Sequence, residues 1–307
     1  MLVKQYDRQS ENLPSFDVDL LGRRITCMTV SNIVAAINSA CVEGRKIVVT
    51  NYNVHGFNLT MQIPWLYEFM QNADISHCDS VGIIRAIGYM EGRKIPLAYR
   101  ASYTRLMPQL LEHCDRHHLS VFLLGSKPRY VQMAVERLRK MYPNITIAGR
   151  DGYFSAEDPS ANAAVIEQIN TFKPQILILG MGMPIQENWV RLYKDRLTVN
   201  AILTGGAVID RLAGVVSDCP KFLSNIGLEW LYRLYLEPRR LAVRYLLGNP
   251  AFIMQIALAK LNSSYAKVIK MQNDSNSTSG EYADFSHLLT TANSSTIDTP
   301  VLHKQSI

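Results

Sequence analysis

The sequence predicts an α/β fold: a mostly parallel sheet with helices on both faces, followed by a C-terminal helical, membrane-associating appendage. Three observations predict it. Short unbroken apolar runs such as Ile176-Leu177-Ile178-Leu179 read as strands buried on both faces, since a half-exposed strand alternates. These runs alternate with helical stretches at short intervals, which implies right-handed crossovers between parallel strands. Beyond about residue 225 the strands stop, and basic and apolar residues share long helical stretches. The winding is Rossmann-like, so ligands are expected at the carboxyl ends of the strands. The expected organisation is a core over residues 1–225, a basic helical appendage over 226–271 and a polar tail over 272–307.

The most informative stretch is Gln175 to Trp189, where the apolar run breaks into Gly180-Met181-Gly182 and a helix restarts at Pro184. Glycines let a backbone approach a ligand, and a helix N-terminus attracts anions. Gln186 and Glu187 fall in that helix's first turn. Gly-x-Gly after a strand is common, however, and Ile185 occupies the third glycine position of the dinucleotide fingerprint. The turn alone leaves a ligand site open.

Taken in order, residues 1–15 read as a leader, and Phe16–Gly22 with Arg24–Thr26 as short strands around a turn. Asp17-Val18-Asp19 has the form of a metal-binding DxD, but it alternates like an edge strand ahead of any buried one. No metal or other cofactor is expected. A helix over Val30–Glu43 begins at Thr29 or Ser31 and stops at Gly44. The strand Lys46–Asn53 ends in Asn51 and Asn53, which either grip a ligand or make the turn. After a helix to about Gln71, a short strand carries His77 and ends at Asp79. An aspartate there caps a helix or does chemistry, and His77 on the same face makes a His-Asp relay conceivable.

Arg100 closes the next segment, before a helix over Leu106–His113. Strands at Ser120–Gly125 and Ile145–Gly149 alternate with helices at Arg129–Met141 and Ser160–Phe172. Gly125-Ser126-Lys127 is not a phosphate-binding P-loop. Ala201–Ala207 repeats the strand-then-glycine pattern through Gly205 and Gly206, with Asp210 one turn into the next helix. Two glycine turns and Asp79 can therefore line one crevice.

Composition narrows the class. With 307 residues, 48% hydrophobic and 19% charged, the chain can bury a large core and is not disordered overall. Five scattered cysteines without CxxC spacing read as reduced thiols. The N-terminus lacks a signal pattern, and no apolar run reaches the roughly 18 residues that span a bilayer. The net charge of +6 suggests an anionic partner. Its distribution favours a nucleotide and an anionic membrane surface over nucleic acid. Arg233, Glu237, Arg240 and Arg244 share a helix face if Pro238 merely restarts the helix, with Leu241, Leu246, Leu247 and Ala251–Ala259 as the apolar counterpart. Arginines flanking a short apolar helix describe an interfacial element. The Ser-, Thr- and Asn-rich stretch from about Gln272 reads as a disordered tail. Oligomerisation, including a homo-oligomer, is left open.

Together these residues resemble the WecG/TagA/CpsF family of bacterial glycosyltransferases. The resemblance covers roughly residues 16 to 250. It is carried by Gly180-Met-Gly-Met-Pro-Ile-Gln186-Glu187-x-Trp189, Gly206-Ala-Val-Ile-Asp210-x-x-Ala-Gly214, and Gly227-Leu-Glu229-Trp230-Leu-Tyr-Arg233 with Glu237-Pro238-x-Arg240-x-x-x-Arg244-Tyr245. Phe122-Leu-Leu-Gly125 and Asp151-Gly152-Tyr153-Phe154 add to it. The resemblance implies an inverting, metal-independent transfer of a sugar from a UDP-sugar to a polyprenyl-diphosphate-linked saccharide, at the cytoplasmic face of the bacterial inner membrane.

It further implies that Asp79 is the catalytic base. Substrate-binding residues would be Asn51, Asn53, Arg100, Gly180, Gly182, Gln186, Glu187, Gly205, Gly206 and Asp210, with Arg233, Arg240 and Arg244 folding over the diphosphate. Asn51 stands where the family has threonine, Ile185 where it has lysine, and Asp218-Cys219-Pro220 where it has Arg-Ala-Pro. N-acetylmannosamine, its uronic acid and glucose all stay open as the sugar. A chain ending near Asn225 is expected to keep its α/β core and lose activity. A non-catalytic membrane scaffold and an NAD-dependent oxidoreductase are the rival readings, and protection by UDP, by NAD or by neither would separate them.

Overall fold

The computed structural model of the chain describes residues 13–155, 157–217 and 219–276. The chain divides into two compact units, Met1–Ala259 and Lys260–Ile307. A hairpin of β1 (Phe16–Leu20) and β2 (Arg23–Cys27) is followed by α1 (Val30–Val42), β3 (Ile47–Tyr52), α2 (Val54–Gln62), α3 (Pro64–Asn72) and β4 (Ile75–Cys78). Helices α4 (Val81–Glu91) and α5 (Tyr103–Arg116) lead to β5 (Ser120–Gly125), α6 (Pro128–Met141), β6 (Thr146–Arg150) and α7 (Pro159–Phe172). Then come β7 (Ile176–Gly180), α8 (Ile185–Tyr193), β8 (Ala201–Thr204), α9 (Val208–Leu212), α10 (Lys221–Ile226), α11 (Glu229–Leu236), α12 (Pro238–Leu246) and α13 (Gly248–Asn276).

All eight strands form one sheet in the order β1-β2-β4-β3-β8-β7-β5-β6, antiparallel only in the β1–β2 hairpin. The hairpin turns at Leu21 and Gly22, both at positive φ. Asp19 accepts the Gly22 N–H at 2.7 Å and Asp17 pairs with Arg24 at 3.3 Å, so both carboxylates of the DxD stretch have structural work. The chain passes outward from β3 to β4, crosses the sheet to β5 and returns inward through β7 to β8. The two halves meet at β3 and β8, with Ile47 opposite Ala201. The carboxyl ends of β4, β3, β8 and β7 therefore open in one row.

Alternate residues of the central strands feed two separate cores. Val48, Tyr52, Phe122, Leu124, Leu177, Leu179 and Ile202 face one, and Ile47, Val49, Val121, Leu123, Ile176, Ile178, Ala201 and Leu203 face the other. Two covered faces are why the strands read as continuous apolar runs. The single helix expected up to Gln71 is two, because Pro64 forces Ile63 into an extended conformation (φ −121°, ψ 98°) and starts α3.

At the strand ends, glycines bring backbone against its neighbours. A Cβ on Gly125 would lie 2.4 Å from the Gly180 carbonyl carbon, one on Gly180 would lie 2.7 Å from the Ile209 side chain, and one on Gly205 would lie 2.4 Å from Val208. The loops after β5, β7 and β8 are thereby drawn together above the sheet.

Helices beyond the sheet pack on it as part of the first unit. Leu241, Tyr245, Phe252 and Ile256 are buried, Phe252 meets Phe57 edge-on at 5.1 Å, and Asn58 Nδ2 donates to the Gly248 carbonyl at 2.8 Å. The boundary of the compact core accordingly falls at Ala259 rather than at 225. Against the expectation that no segment reaches membrane-spanning length, the 26 residues Pro238–Ser263 form a helical stretch long and apolar enough to do so. Arg239, Arg240, Arg244, Asn249 and Gln255 interrupt the apolar run, which is why an unbroken stretch is not visible in the sequence. Of the leader, residues 13–15 are tied down by bonds from Asn32 and Tyr99, and residues 1–12 lie outside the described residues. The polar tail expected from 272 is helical to Asn276, and its remainder lies outside the described residues.

Candidate active site

Two cavities meet above the row of strand ends. One, of about 600 Å³, is polar and walled by the loops after β3, β7 and β8 together with α9, α11 and α12. The other, of about 630 Å³, is mostly apolar and runs between α4 and the helices α11, α12 and α13, past Tyr89, Trp230, Phe252, Ile253 and Ile256. Asn53, His55, Asp79, Glu229, Arg233 and Arg244 line both. They form the ring at which the cavities join.

Asp79 is the carboxylate of that ring. Its N–H donates to the Tyr52 carbonyl at 2.9 Å and its own carbonyl accepts from Arg100 Nε at 3.2 Å, so the backbone is fixed from β3 and from the segment before α5. The capping role that an aspartate after a strand could take belongs to Ser80, whose Oγ accepts the Ile83 N–H at 3.3 Å. The Asp79 side chain is thus released from structural duty. Burial, and then the Glu229 carboxylate, raise its acidity constant above the ordinary carboxylate range despite Arg100, Arg233 and Arg211. Such an environment suits a general base.

The structure does not support a His77–Asp79 relay. His77 is fully buried on β4, stacks edge-on against Tyr103 at 5.7 Å, and neither ring nitrogen has a hydrogen-bond partner among the described residues. Burial pushes its acidity constant down to about 4, which keeps it neutral.

The glycine turns and the polar strand ends are braced against one another. Gln186 Oε1 accepts both the Gly182 N–H at 3.2 Å and the Gly206 N–H at 3.0 Å, tying the turns after β7 and β8 together. Its Nε2 donates to Glu187 at 2.8 Å, and burial lifts the Glu187 carboxyl to about 7. Gly182 and Gly206 adopt positive φ of 85° and 59°, and both line the polar cavity, as do Gly205 and Gln186. Gly180, one residue before, is packed under Ile209 and accepts the Ser126 N–H at 3.1 Å. Asn51 donates to the Thr204 carbonyl at 2.9 Å, joining β3 to β8, and Asn53 caps α2 through Gly56 N–H at 3.0 Å. Asp210 lines the cavity and accepts from Ser126 Oγ.

The charge stripe faces the cleft. Although α11 stops at Leu236 and α12 starts at Pro238, Arg233, Glu237, Arg240 and Arg244 all line the polar cavity. Arg240 is exposed and forms a two-pronged pair with Glu237 at 2.7 and 2.8 Å. Burial lowers the acidity constant of Arg244, whose guanidinium lies over the Tyr245 ring at 5.3 Å.

Sequence reasoning left out Glu229 and Arg211. The Glu229 carboxylate lies 2.6 Å from Arg100, 3.5 Å from Arg233 and 3.7 Å from Arg211, all at the floor of the cleft. The i,i+4 spacing of Glu229 and Arg233 is the one local signal. Arg100 and Arg211 reach it from distant segments, which spacing cannot show. Among the described residues no group of three or more His, Cys, Asp or Glu side chains gathers as a metal site would need.

Comparison with known proteins agrees with this architecture. Proteins named N-acetylglucosaminyldiphosphoundecaprenol N-acetyl-beta-D-mannosaminyltransferase in Staphylococcus aureus strains NCTC 8325 / PS 47 and COL are each 29% identical over 254 residues, covering 81% of this chain and 96% of theirs. A profile described as the Glycosyl transferase WecG/TagA/CpsF family matches residues 18–266, from the hairpin through all the cleft-lining helices. The chain belongs to that family and is a glycosyltransferase.

Proposed function

We propose that the protein transfers a sugar of the N-acetylmannosamine type from UDP to a polyprenyl-diphosphate-linked saccharide, with inversion and without a metal. The observation that carries this reading is the position of Asp79 where a polar cavity and an apolar cavity join. A nucleotide sugar suits the polar side, where Arg233, Arg240 and Arg244 can meet its diphosphate and the exposed Tyr153 ring offers a stacking face for the base. A prenyl chain suits the apolar side. Asp79 takes the proton of the acceptor hydroxyl as that oxygen bonds the anomeric carbon. The bond from that carbon to UDP breaks on the opposite face, and the diphosphate leaves with the electron pair toward the arginines. The names of the relatives favour N-acetylmannosamine and a diphosphoundecaprenol acceptor; the uronic acid and glucose are the competing donors.

The test is UDP release from a panel of UDP-sugars with a short polyprenyl-diphosphate saccharide. Release confined to one donor and dependent on acceptor is expected. Binding of UDP without release from any donor would favour the scaffold reading instead.

The same reading has the protein lie on the cytoplasmic face of the membrane. Helices α12 and α13 bury Leu241, Tyr245, Phe252 and Ile256 against the core, while Val243, Leu247, Ile253, Met254 and Leu258 are each more than half exposed on the remaining surface. A helix anchored in the protein on one side and apolar on the other fits an interfacial position better than a spanning one. The double variant Leu247→Glu/Met254→Glu is expected to lose sedimentation with anionic vesicles while keeping turnover of a short, detergent-dispersed acceptor. Undiminished vesicle binding would place the docking surface elsewhere.

A further inference from the structure

The floor of the cleft contains more cation than its one carboxylate neutralises. Glu229 is four-fifths buried and lies within 4 Å of three guanidiniums, those of Arg100, Arg211 and Arg233, of which the first two are almost wholly buried. These arginines come from three separate segments: the turn before α5, helix α9 and helix α11. Three fixed positive charges around one negative charge form an anion site already holding an anion. A diphosphate carries more charge and more acceptor oxygens than a carboxylate, so it competes well for the same donors. Glu229 is the first residue of α11, directly after Gly227 at φ 88°, so a small rotation at the glycine can withdraw it.

We propose that Glu229 is a positioning residue, which gathers Arg100, Arg211 and Arg233 into a cradle in the empty enzyme and cedes part of it to a substrate diphosphate. The proposal rests on the function argued above and adds a residue and an exchange to it. Because Arg100 also holds the Asp79 carbonyl, the state of the cradle reaches the base directly.

Glu229 is also the negative charge that, after burial, most raises the acidity constant of Asp79. Arg100, Arg211, Arg233 and Arg244 oppose it from four segments. Tyr103 of α5, His55 of α2 and the adjacent Cys78 are the remaining titratable groups around the carboxylate, and burial disfavours the charged form of each. Removing the Glu229 charge should therefore leave Asp79 a stronger acid, active at lower pH.

The experiment compares wild type with Glu229→Gln and Glu229→Asp by calorimetric titration of UDP and of geranyl diphosphate, and by the pH profile of kcat/KM. In Glu229→Gln the diphosphate that uses the cradle is expected to bind about tenfold tighter, the scale of a typical coupling between ligands sharing contacts. Tightening of UDP alone assigns the cradle to the donor, and tightening of geranyl diphosphate alone assigns it to the acceptor; either outcome supports the exchange. The acidic limb of kcat/KM is expected to move to lower pH in Glu229→Gln and to return in Glu229→Asp. A Glu229→Gln protein with unchanged or weaker binding of both ligands would overturn the proposal, as would an unmoved acidic limb. If Glu229→Gln does not fold, Arg211→Gln is the substitute: weakened binding of the cradle's diphosphate is expected, and unchanged affinity for both would refute the exchange. Wild type that neither binds UDP nor releases it would instead refute the underlying function.

Discussion

Asp79→Asn is expected to cut sugar transfer by about 10²–10⁴-fold, the usual worth of a positioned base, while UDP binds at least as tightly as before. The amide matches the carboxylate in shape but cannot accept the acceptor's proton. Removing a negative charge beside a bound diphosphate does not weaken its binding. Stopped assays of UDP release, together with calorimetric titration of UDP, separate the two effects. The wild-type pH profile supplies a second check. The active form of Asp79 is deprotonated, and burial with the neighbouring Glu229 raises its acidity constant. Activity should therefore climb with pH through a limb above the ordinary carboxylate range. A variant as fast as wild type would move the base elsewhere, with His55, the other titratable side chain besides Glu229 and the arginines common to both cavities, first in line.

The sheet was legible because its strands are covered on both faces, so Val48 to Tyr52 and Ile176 to Leu179 needed no alternation to be recognised. The glycine turns were legible as turns but not in their packing. Gly125 and Gly180 are small because two strand ends touch, and Gln186 faces inward to brace Gly182 and Gly206. No local pattern distinguishes a glycine that admits a ligand from one that admits another strand. Asp79 was found by its place after a short strand, yet its freedom depends on Ser80 taking the cap, a choice between neighbours that the sequence leaves open. Glu229 was overlooked for the opposite reason. Its importance lies in Arg100 and Arg211, which are far away along the chain and close only in the folded molecule.

The arginine stripe was read correctly as a shared face, and the cleft it faces required the sheet to be in place. That dependence runs in both directions. A chain ending at Asn225 is expected to lose both activity and cooperative folding, because the helices it lacks complete the core as well as the cleft. Leu241, Tyr245, Phe252 and Ile256 are each at most 8% exposed. Burying a side chain of this size contributes about 1.5–3 kcal/mol, so the four together contribute about 6–12 kcal/mol, comparable with the roughly 5–15 kcal/mol that stabilises a whole domain. Phe57 would lose its edge-on partner and Asn58 its acceptor at Gly248. A chain ending at Ser263 keeps all of these contacts and should unfold as cooperatively as the full chain. Thermal unfolding followed by circular dichroism, with UDP release measured in parallel, tests the pair. If the chain ending at Asn225 melts sharply near the full-length midpoint, α11 to α13 are a dispensable attachment and their arginines act only on the ligand. If it does not, the helices that bring Arg233, Arg240 and Arg244 to the diphosphate are the ones that close the core, and the active site cannot be assembled without folding them.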